Sequence, residues 1–398
     1  MQTQFQFITD CLMEHQSFWR LDPFKASLHP SLPWIEEYPV MCQWLSTLSP
    51  SQIDHFKSQP ESALTELCSF LPFLQALREC TQLKLRNLTG LTLERGLDKG
   101  IPGRKLTQIT SMGEAAIQAH QGEEWLEWCS GKGYLGRILT TQTHQPVTSF
   151  EYQQSLCESG QQAADANQWK MTFVQGDAFA PSAKAIFKPN QHAVALHACG
   201  DLHVRLMQYG AEKRVAAMTI APCCYHLIQS EYYQALSEQG KASELMLSKQ
   251  ELRIPLQQTI TGGSRVHRHR QQEMVFRLGF DLITRQWLGI KQYVPVPSIR
   301  KSMLSEGFEA FCHWAAEQKS IELDDRIDFD QFERLGEQRF WHMERISLVQ
   351  MMFQRPLEIW LALDKALYLE QRGYRVTLSE FCTNCVTPRN ILICAYRN

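Results

Sequence analysis

Five short apolar runs recur through the middle of the chain at nearly constant spacing. They cover residues 125–129, 147–151, 171–175, 193–198 and 215–221, and their starts lie 22, 24, 22 and 22 residues apart. A parallel strand pair cannot be closed by a tight turn; it needs a crossover of a dozen or more residues, usually a helix. A run of five to seven residues followed by an intervening stretch of that length is the pattern of successive βαβ units. The spacing therefore predicts an α/β doubly wound, Rossmann-like sheet of five parallel strands, with helices covering both faces.

The flanking segments read differently. In residues 1–96 the apolar positions recur at threes and fours, as in Phe56, Leu64, Leu67, Leu71, Leu74 and Leu77, which predicts a helical N-terminal region. The glycine-rich, charged stretch 97–105 reads as a linker or a loop over the domain that follows. Residues 97–222 form the first part of the sheet domain, and 223–355 lose the strand rhythm and read as an insertion or cap. Residues 356–398 return to order: a helical stripe of Leu357, Trp360, Leu361, Leu363 and Leu367, with Gly373 suited to its C-terminal cap, then two extended runs at 374–378 and 390–396 that predict a terminal antiparallel hairpin.

Composition narrows the class. With 398 residues, 44% of them hydrophobic, the chain has enough apolar material for more than one core. Forty Lys and Arg against 42 Asp and Glu give a net charge of −2, so any nucleic-acid contact must be local rather than a property of the whole field. No stretch approaches the length of a membrane span and the N-terminus lacks a basic, apolar leader. The 13 cysteines form no disulfide framework. A cytoplasmic protein with reduced thiols and no membrane partner is expected.

The first strand of the series runs into Cys129-Ser130-Gly131-Lys132-Gly133, and a helix is expected from about Tyr134. Glycines allow a tight turn with bare backbone, and the first amides of a helix favour an anionic group. Continued to Gly136, the loop also spells the spacing of a dinucleotide fingerprint, with Glu151 20 residues beyond Gly131, so a nicotinamide oxidoreductase is one alternative. Three staggered strand-end acids favour S-adenosylmethionine instead. Glu127 stands where the methionine amino group is expected, Glu151 where it would accept from both ribose hydroxyls, and Asp177, followed by Ala178, where it would accept from the adenine amino group. Cys129, Gly131, Lys132, Gly133 and His197 complete the expected cofactor site.

With those residues in view, the stretch from about 102 onward resembles the class I methyltransferase-domain family that includes the methyltransferase-like twenty-five proteins and, more distantly, the eukaryotic tRNA 2′-O-methyltransferases of the acceptor stem. The resemblance rests on Cys129 to Gly133, on His197-Ala198-Cys199-Gly200-Asp201, on Pro222-Cys223-Cys224-Tyr225-His226 and on Thr387-Pro388-Arg389-Asn390. Gly103-Arg104-Lys105 with Gln108 is similar to the short basic motif preceding the cofactor loop in that family, and Leu361 to Leu369 is a helix of familial look. Glu127 stands where the family often has Asp. The resemblance implies methyl transfer from S-adenosylmethionine.

Ligands of an open parallel sheet bind beyond the carboxyl ends of its strands. His197, Asp201, Cys223, Cys224 and His226 are therefore the expected acceptor-side residues. Either histidine could take a proton from an acceptor, with Asp201 orienting one of them. A cysteine could instead attack a cytosine base covalently, or serve as a small packing residue. No metal is expected, because Cys382-x-x-Cys385 lacks a matching ligand pair at zinc spacing, although joining it to the Cys223-Cys224 pair would make a site. Thr261 to Arg270 reads as a basic loop whose Arg265, Arg268 and Arg270 could clamp phosphates or simply face solvent. RNA is the expected acceptor; a protein side-chain methyltransferase and a cofactor-binding module without turnover are the rival readings.

Overall fold

The computed structural model describes residues 1–94, 96–257 and 264–397. Seven strands make one sheet: β1 Glu124–Trp128, β2 Val147–Glu151, β3 Met171–Gln175, β4 Gln191–Ala195, β5 Ala217–Ile220, β6 Tyr374–Glu380 and β7 Ile391–Arg397. Their spatial order is β3-β2-β1-β4-β5-β7-β6. The first five are mutually parallel, and β7 lies antiparallel between β5 and β6. The chain winds outward from β1 to β3 and then crosses back to β4, so the crevice at the carboxyl ends of β1 and β4 is the point where a doubly wound sheet binds ligands.

The runs at 193–198 and 215–221 are longer than β4 and β5. Leu196, Ala198 and Ala221 are buried yet lie beyond the named strands. Their apolar character reflects burial in the hydrophobic clusters that pack against the sheet. The helix Gln354–Gln371 lies against β6 and β7 and is buried at every position from Pro356 to Leu369. The first helix, Gln2–Glu14, packs on it: Phe5 stacks on Trp360 at 5.2 Å, and the Trp360 indole N–H donates to Thr9 Oγ1 at 2.9 Å. Asp364 and Lys365 are buried on the same helix. Asp364 accepts from the main-chain N–H groups of Leu236 and Ser237 and from the Tyr233 and Ser237 hydroxyls, which fastens residues 233–237 to the sheet domain.

The compact units are not contiguous in sequence. One comprises the described residues of Met1–Glu14, Leu77–Ile260 and Gln354–Asn398, and the other those of His15–Ala76 and Thr261–Phe353. The linear boundaries read from the sequence, at 96, 222 and 355, are thus not the divisions of the fold: both ends of the helical N-terminal region join the sheet unit, as does 223–257. The expected linker at 97–105 is also shorter, because Gly103 already opens a helix, Gly103–Gln118. Its buried Glu114 accepts from the main-chain N–H groups of Thr89 and Gly90 and anchors the preceding segment.

Among its described residues the second unit has helices and no strand. Its long helices Ser264–Gln286 and Phe329–Met351 pack along each other around a phenylalanine-rich core of Phe276, Phe280, Phe308 and Phe311. Inside it Arg339 donates to Asp281 Oδ2 at 2.6 Å, to Ser27 Oγ at 3.1 Å and to the Phe24 carbonyl at 3.0 Å. The expected basic loop is not a loop in its described part. Thr261, Gly262 and Gly263 lie outside the described residues, whereas Arg265, Arg268 and Arg270 stand exposed on the first turns of the helix beginning at Ser264. The glycine pair suggested a loop, but apolar residues farther along, such as Val275, Phe276, Leu278 and Phe280, carry the helix. Among the described residues no helix is long and apolar enough to cross a membrane.

Candidate active site

The turn after β1 is built from left-handed backbone. Cys129, Gly131 and Gly133 have φ of 55°, 58° and 70°, and Gly133 caps the helix Tyr134–Thr143. A Cβ placed on Gly131 would have no atom within 4 Å, whereas one on Gly133 would come within 2.5 Å of Phe173. Gly131 thus presents bare backbone to open space while Gly133 closes onto the sheet. The carboxylate of Glu151, at the end of β2, holds the turn by accepting the Gly131 N–H at 2.9 Å and the Gln153 N–H at 3.0 Å.

Glu127 is almost fully buried at the end of β1. It accepts the Ser149 hydroxyl at 2.8 Å, and its Oε2 would meet a Cβ on Gly136 at 2.6 Å, so the carboxylate lies against the first turn of the next helix. Burial pushes its pKa up from 4.5 to about 7, against the opposing pull of the Ser149 hydroxyl, the Gly136 and Leu135 amides and Arg137. Glu127 is consequently poised between protonation states at neutral pH.

These residues open on a cavity of about 740 Å³, within the range of small-molecule sites. Glu127, Cys129, Gly131, Lys132 and His197 line it. So do Arg104, Lys105 and Gln108, which the sequence reading did not place in the site. Their signal was the basic Gly103-Arg104-Lys105 motif; the Lys105 ammonium lies over the Tyr134 ring at 5.4 Å. Glu151 does not line the cavity and reaches it through Gly131. Asp177 and Ala178 do not line it either. Asp177 is exposed and accepts the Phe179 N–H at 2.9 Å in a local turn, while Ala178 is buried in the core against Phe150 and Trp128.

The acceptor-side residues sit on two loops stitched together. The Gly200 N–H donates to the Cys223 carbonyl at 3.1 Å and the Asp201 N–H to the Leu227 carbonyl at 3.1 Å. Asp201 Oδ2 accepts the Gln229 N–H at 2.8 Å. Asp201 therefore braces the second loop, where the sequence reading had it orienting a histidine; the start of a helix places its carboxylate by the loop backbone. A Cβ on Gly200 would lie 1.9 Å from the Leu227 carbonyl oxygen, which explains why glycine stands at this crossing.

His197 lines the cavity, and the protein around it, followed by the Lys105 charge, pushes its imidazole below the ordinary range. Burial, then Arg253 and Lys249, does the same for His226. Both are neutral at pH 7 and can accept a proton. The thiols differ. Burial pushes Cys129 up to about 12, and Cys223 is raised far above the thiol range by hydrogen bonding with Cys199 and Cys224; neither is a thiolate at neutral pH. Cys224 is held well below that range by hydrogen bonds from Cys199 and Cys223. The Cys199, Cys223 and Cys224 sulfurs all lie within 4.8 Å of one another. Cys382 and Cys385 are not part of that group.

Cavity, turn and strand-end carboxylates together define a cofactor-binding α/β domain. Residues 104–231 match the family described as a methyltransferase domain. No curated protein sequence matches the chain. Solved structures similar to parts of it include the tRNA (uracil-54, C5)-methyltransferase of Pyrococcus abyssi in complex with S-adenosyl-L-homocysteine, 19% identical over 29% of this chain and 28% of that chain, with a TM-score of 0.25. Another is the precorrin-6y C5,15-methyltransferase of Geobacter metallireducens GS-15, 7% identical over 31% of this chain and 64% of that one, TM-score 0.25. A protein of Pyrococcus horikoshii OT3 is 11% identical over 39% of this chain and 81% of its own length, TM-score 0.26. The chain spans less than two thirds of the length of the first two.

Proposed function

We propose that the chain is a cytoplasmic S-adenosylmethionine-dependent methyltransferase whose acceptor is RNA. The observation that carries the cofactor is the cradle at Gly131: open left-handed backbone facing the cavity, with buried Glu127 on one side and Glu151 held against the same turn. S-adenosylmethionine supplies an electrophilic methyl group on a sulfonium. Glu127 suits a cationic amino group, Glu151 retains lone pairs for ribose hydroxyls, and Lys132 and the Gly133-capped helix start suit a carboxylate. Asp177, a short distance along the chain from the edge strand β3, is assigned to the adenine amino group. His197, neutral and lining the cavity, is the base that takes the acceptor proton, with His226 the second neutral imidazole on these loops. Much of the acceleration in a displacement of this type comes from holding nucleophile and methyl in line, on the order of 7 to 11 kcal/mol.

Support for RNA is the run of exposed Arg265, Arg268 and Arg270 on one helix start, whose guanidinium forks match phosphate geometry. The test is transfer of labelled methyl from S-adenosylmethionine to total RNA, alongside RNA binding as a function of salt. Label in a ribonuclease-sensitive product is expected. The triple Arg265→Ala, Arg268→Ala, Arg270→Ala variant should bind more weakly and with a salt slope smaller by about 2. Label resistant to ribonuclease but lost to protease would move the reading to a protein side-chain methyltransferase. Cofactor binding without labelled product from any fraction would make the chain a binding module.

A further inference from the structure

We propose that Cys199, Cys223 and Cys224 form a three-thiolate site for a zinc-class divalent cation at the carboxyl ends of β4 and β5. The inference goes beyond the methyltransferase reading and does not depend on it. Zinc bonds to thiolate sulfur at about 2.3 Å, so two sulfurs on one tetrahedral ion stand roughly 3.8 Å apart. The Cys199 and Cys223 sulfurs are 3.6 Å apart, and all three lie within 4.8 Å of one another.

The backbone is shaped for this grouping. Cys199 and Cys223 pair directly across the strand ends in an isolated parallel bridge. Cys224 adopts φ of 48°, an uncommon conformation for a residue with a side chain, and it is held there by the Leu227 N–H donating to its carbonyl at 2.9 Å. The Gly200 crossing fixes one loop on the other. Small apolar packing would need none of this, and consecutive cysteines ordinarily direct their side chains apart.

His226, two residues beyond Cys224, has its Nδ1 buried without a hydrogen-bond partner. Binding would displace the thiol protons to solvent as three S–metal bonds form. Three protein ligands leave the fourth tetrahedral position to an exchangeable donor, the arrangement of zinc that takes part in chemistry rather than zinc that only closes a fold. Two residues before Cys199, His197 lines the cavity.

The full-length chain, purified under reducing conditions without chelator, should carry about one zinc per molecule by mass spectrometry of the metal. Titration of the metal-free protein with cobalt should give near-ultraviolet thiolate-to-cobalt charge-transfer absorption, displaced by zinc. Cys223→Ser and Cys224→Ser, checked for folding by circular dichroism, should reduce metal to background, while Cys382→Ser and Cys385→Ser should keep it. The proposal is overturned if the wild-type chain shows no charge-transfer band with cobalt, if metal persists in both Cys223→Ser and Cys224→Ser, or if the mass shows Cys199 and Cys223 joined as a disulfide in the reduced preparation.

Discussion

The Glu151 carboxylate accepts the main-chain N–H of Gly131 at 2.9 Å, so the end of β2 holds the turn that follows β1. One side chain thus shapes that turn and, in the proposed function, offers acceptors to a ribose. Glu151→Ala removes both effects. Loss of one to two charge-assisted bonds of about 1.5 to 3 kcal/mol each predicts at least a tenfold weaker affinity for S-adenosylhomocysteine by calorimetry. Asp177→Ala should weaken it less, because Asp177 is exposed and water competes for the same acceptor.

Glu127 gives the site a pH dependence whose sign is fixed. Its folded pKa of about 7 lies above the ordinary 4.5, so the native state binds this proton more tightly than the unfolded chain. Stability contributed by the protonated form is full below about pH 4.5 and is lost as pH rises to about 7, a change on the order of 3 kcal/mol. Glu127→Gln should flatten that part of the stability profile in chemical denaturation. A cationic amino group beside Glu127 would favour the ionised form, so cofactor binding at pH 6.5 should release protons and tighten toward pH 8. Identical calorimetric enthalpies in buffers of different ionisation enthalpy would contradict this.

Gly200 tests the stitched loops. An alanine there must take φ of 55° with its Cβ 1.9 Å from the Leu227 carbonyl oxygen, and the loop must move. Strain of this kind costs on the order of 1 to 3 kcal/mol. Gly200→Ala should lower the melting temperature modestly and depress methyl transfer by a hundredfold or more. S-adenosylhomocysteine affinity should change only a few-fold, since the Gly131 turn is separate; equal losses of binding and turnover would refute that separation.

The helical unit should depend on one buried ion pair. Arg339 and Asp281 are both nearly inaccessible and joined at 2.6 Å. Arg339→Ala leaves the Asp281 charge with only the Arg285 guanidinium as ionic partner among the described residues, and breaking such a pair typically costs about 3 to 5 kcal/mol. Replacing both residues by apolar ones of similar volume should cost less. Denaturant titration of the single and double variants measures the difference.

The periodic runs that announce β1, β2 and β3 in the sequence coincide with them within a residue, because strand formation there follows from local apolar patterning and turn residues. The Gly131 turn was legible for the same reason: bare backbone between a strand and a helix is written in consecutive residues. The three acids were readable as strand ends, but their roles diverged. Only tertiary packing buries Glu127 against Gly136, points Glu151 at Gly131 and leaves Asp177 at the exposed edge of the sheet.

What the sequence by itself determined was the alternating α/β order and the place of the Gly131 turn, since each depends on residues within a few turns of one another. Tertiary structure decided which distant segments share a unit, how Asp201 is used, and that Cys199 meets Cys223 and Cys224 across 24 and 25 residues. Those outcomes depend on sheet order and loop crossings, and neither leaves a period in the chain. The helix carrying Arg265, Arg268 and Arg270 is the intermediate case, where buried apolar residues farther along, from Val275 to Ile283, carry a helix whose first turns read locally as a basic loop.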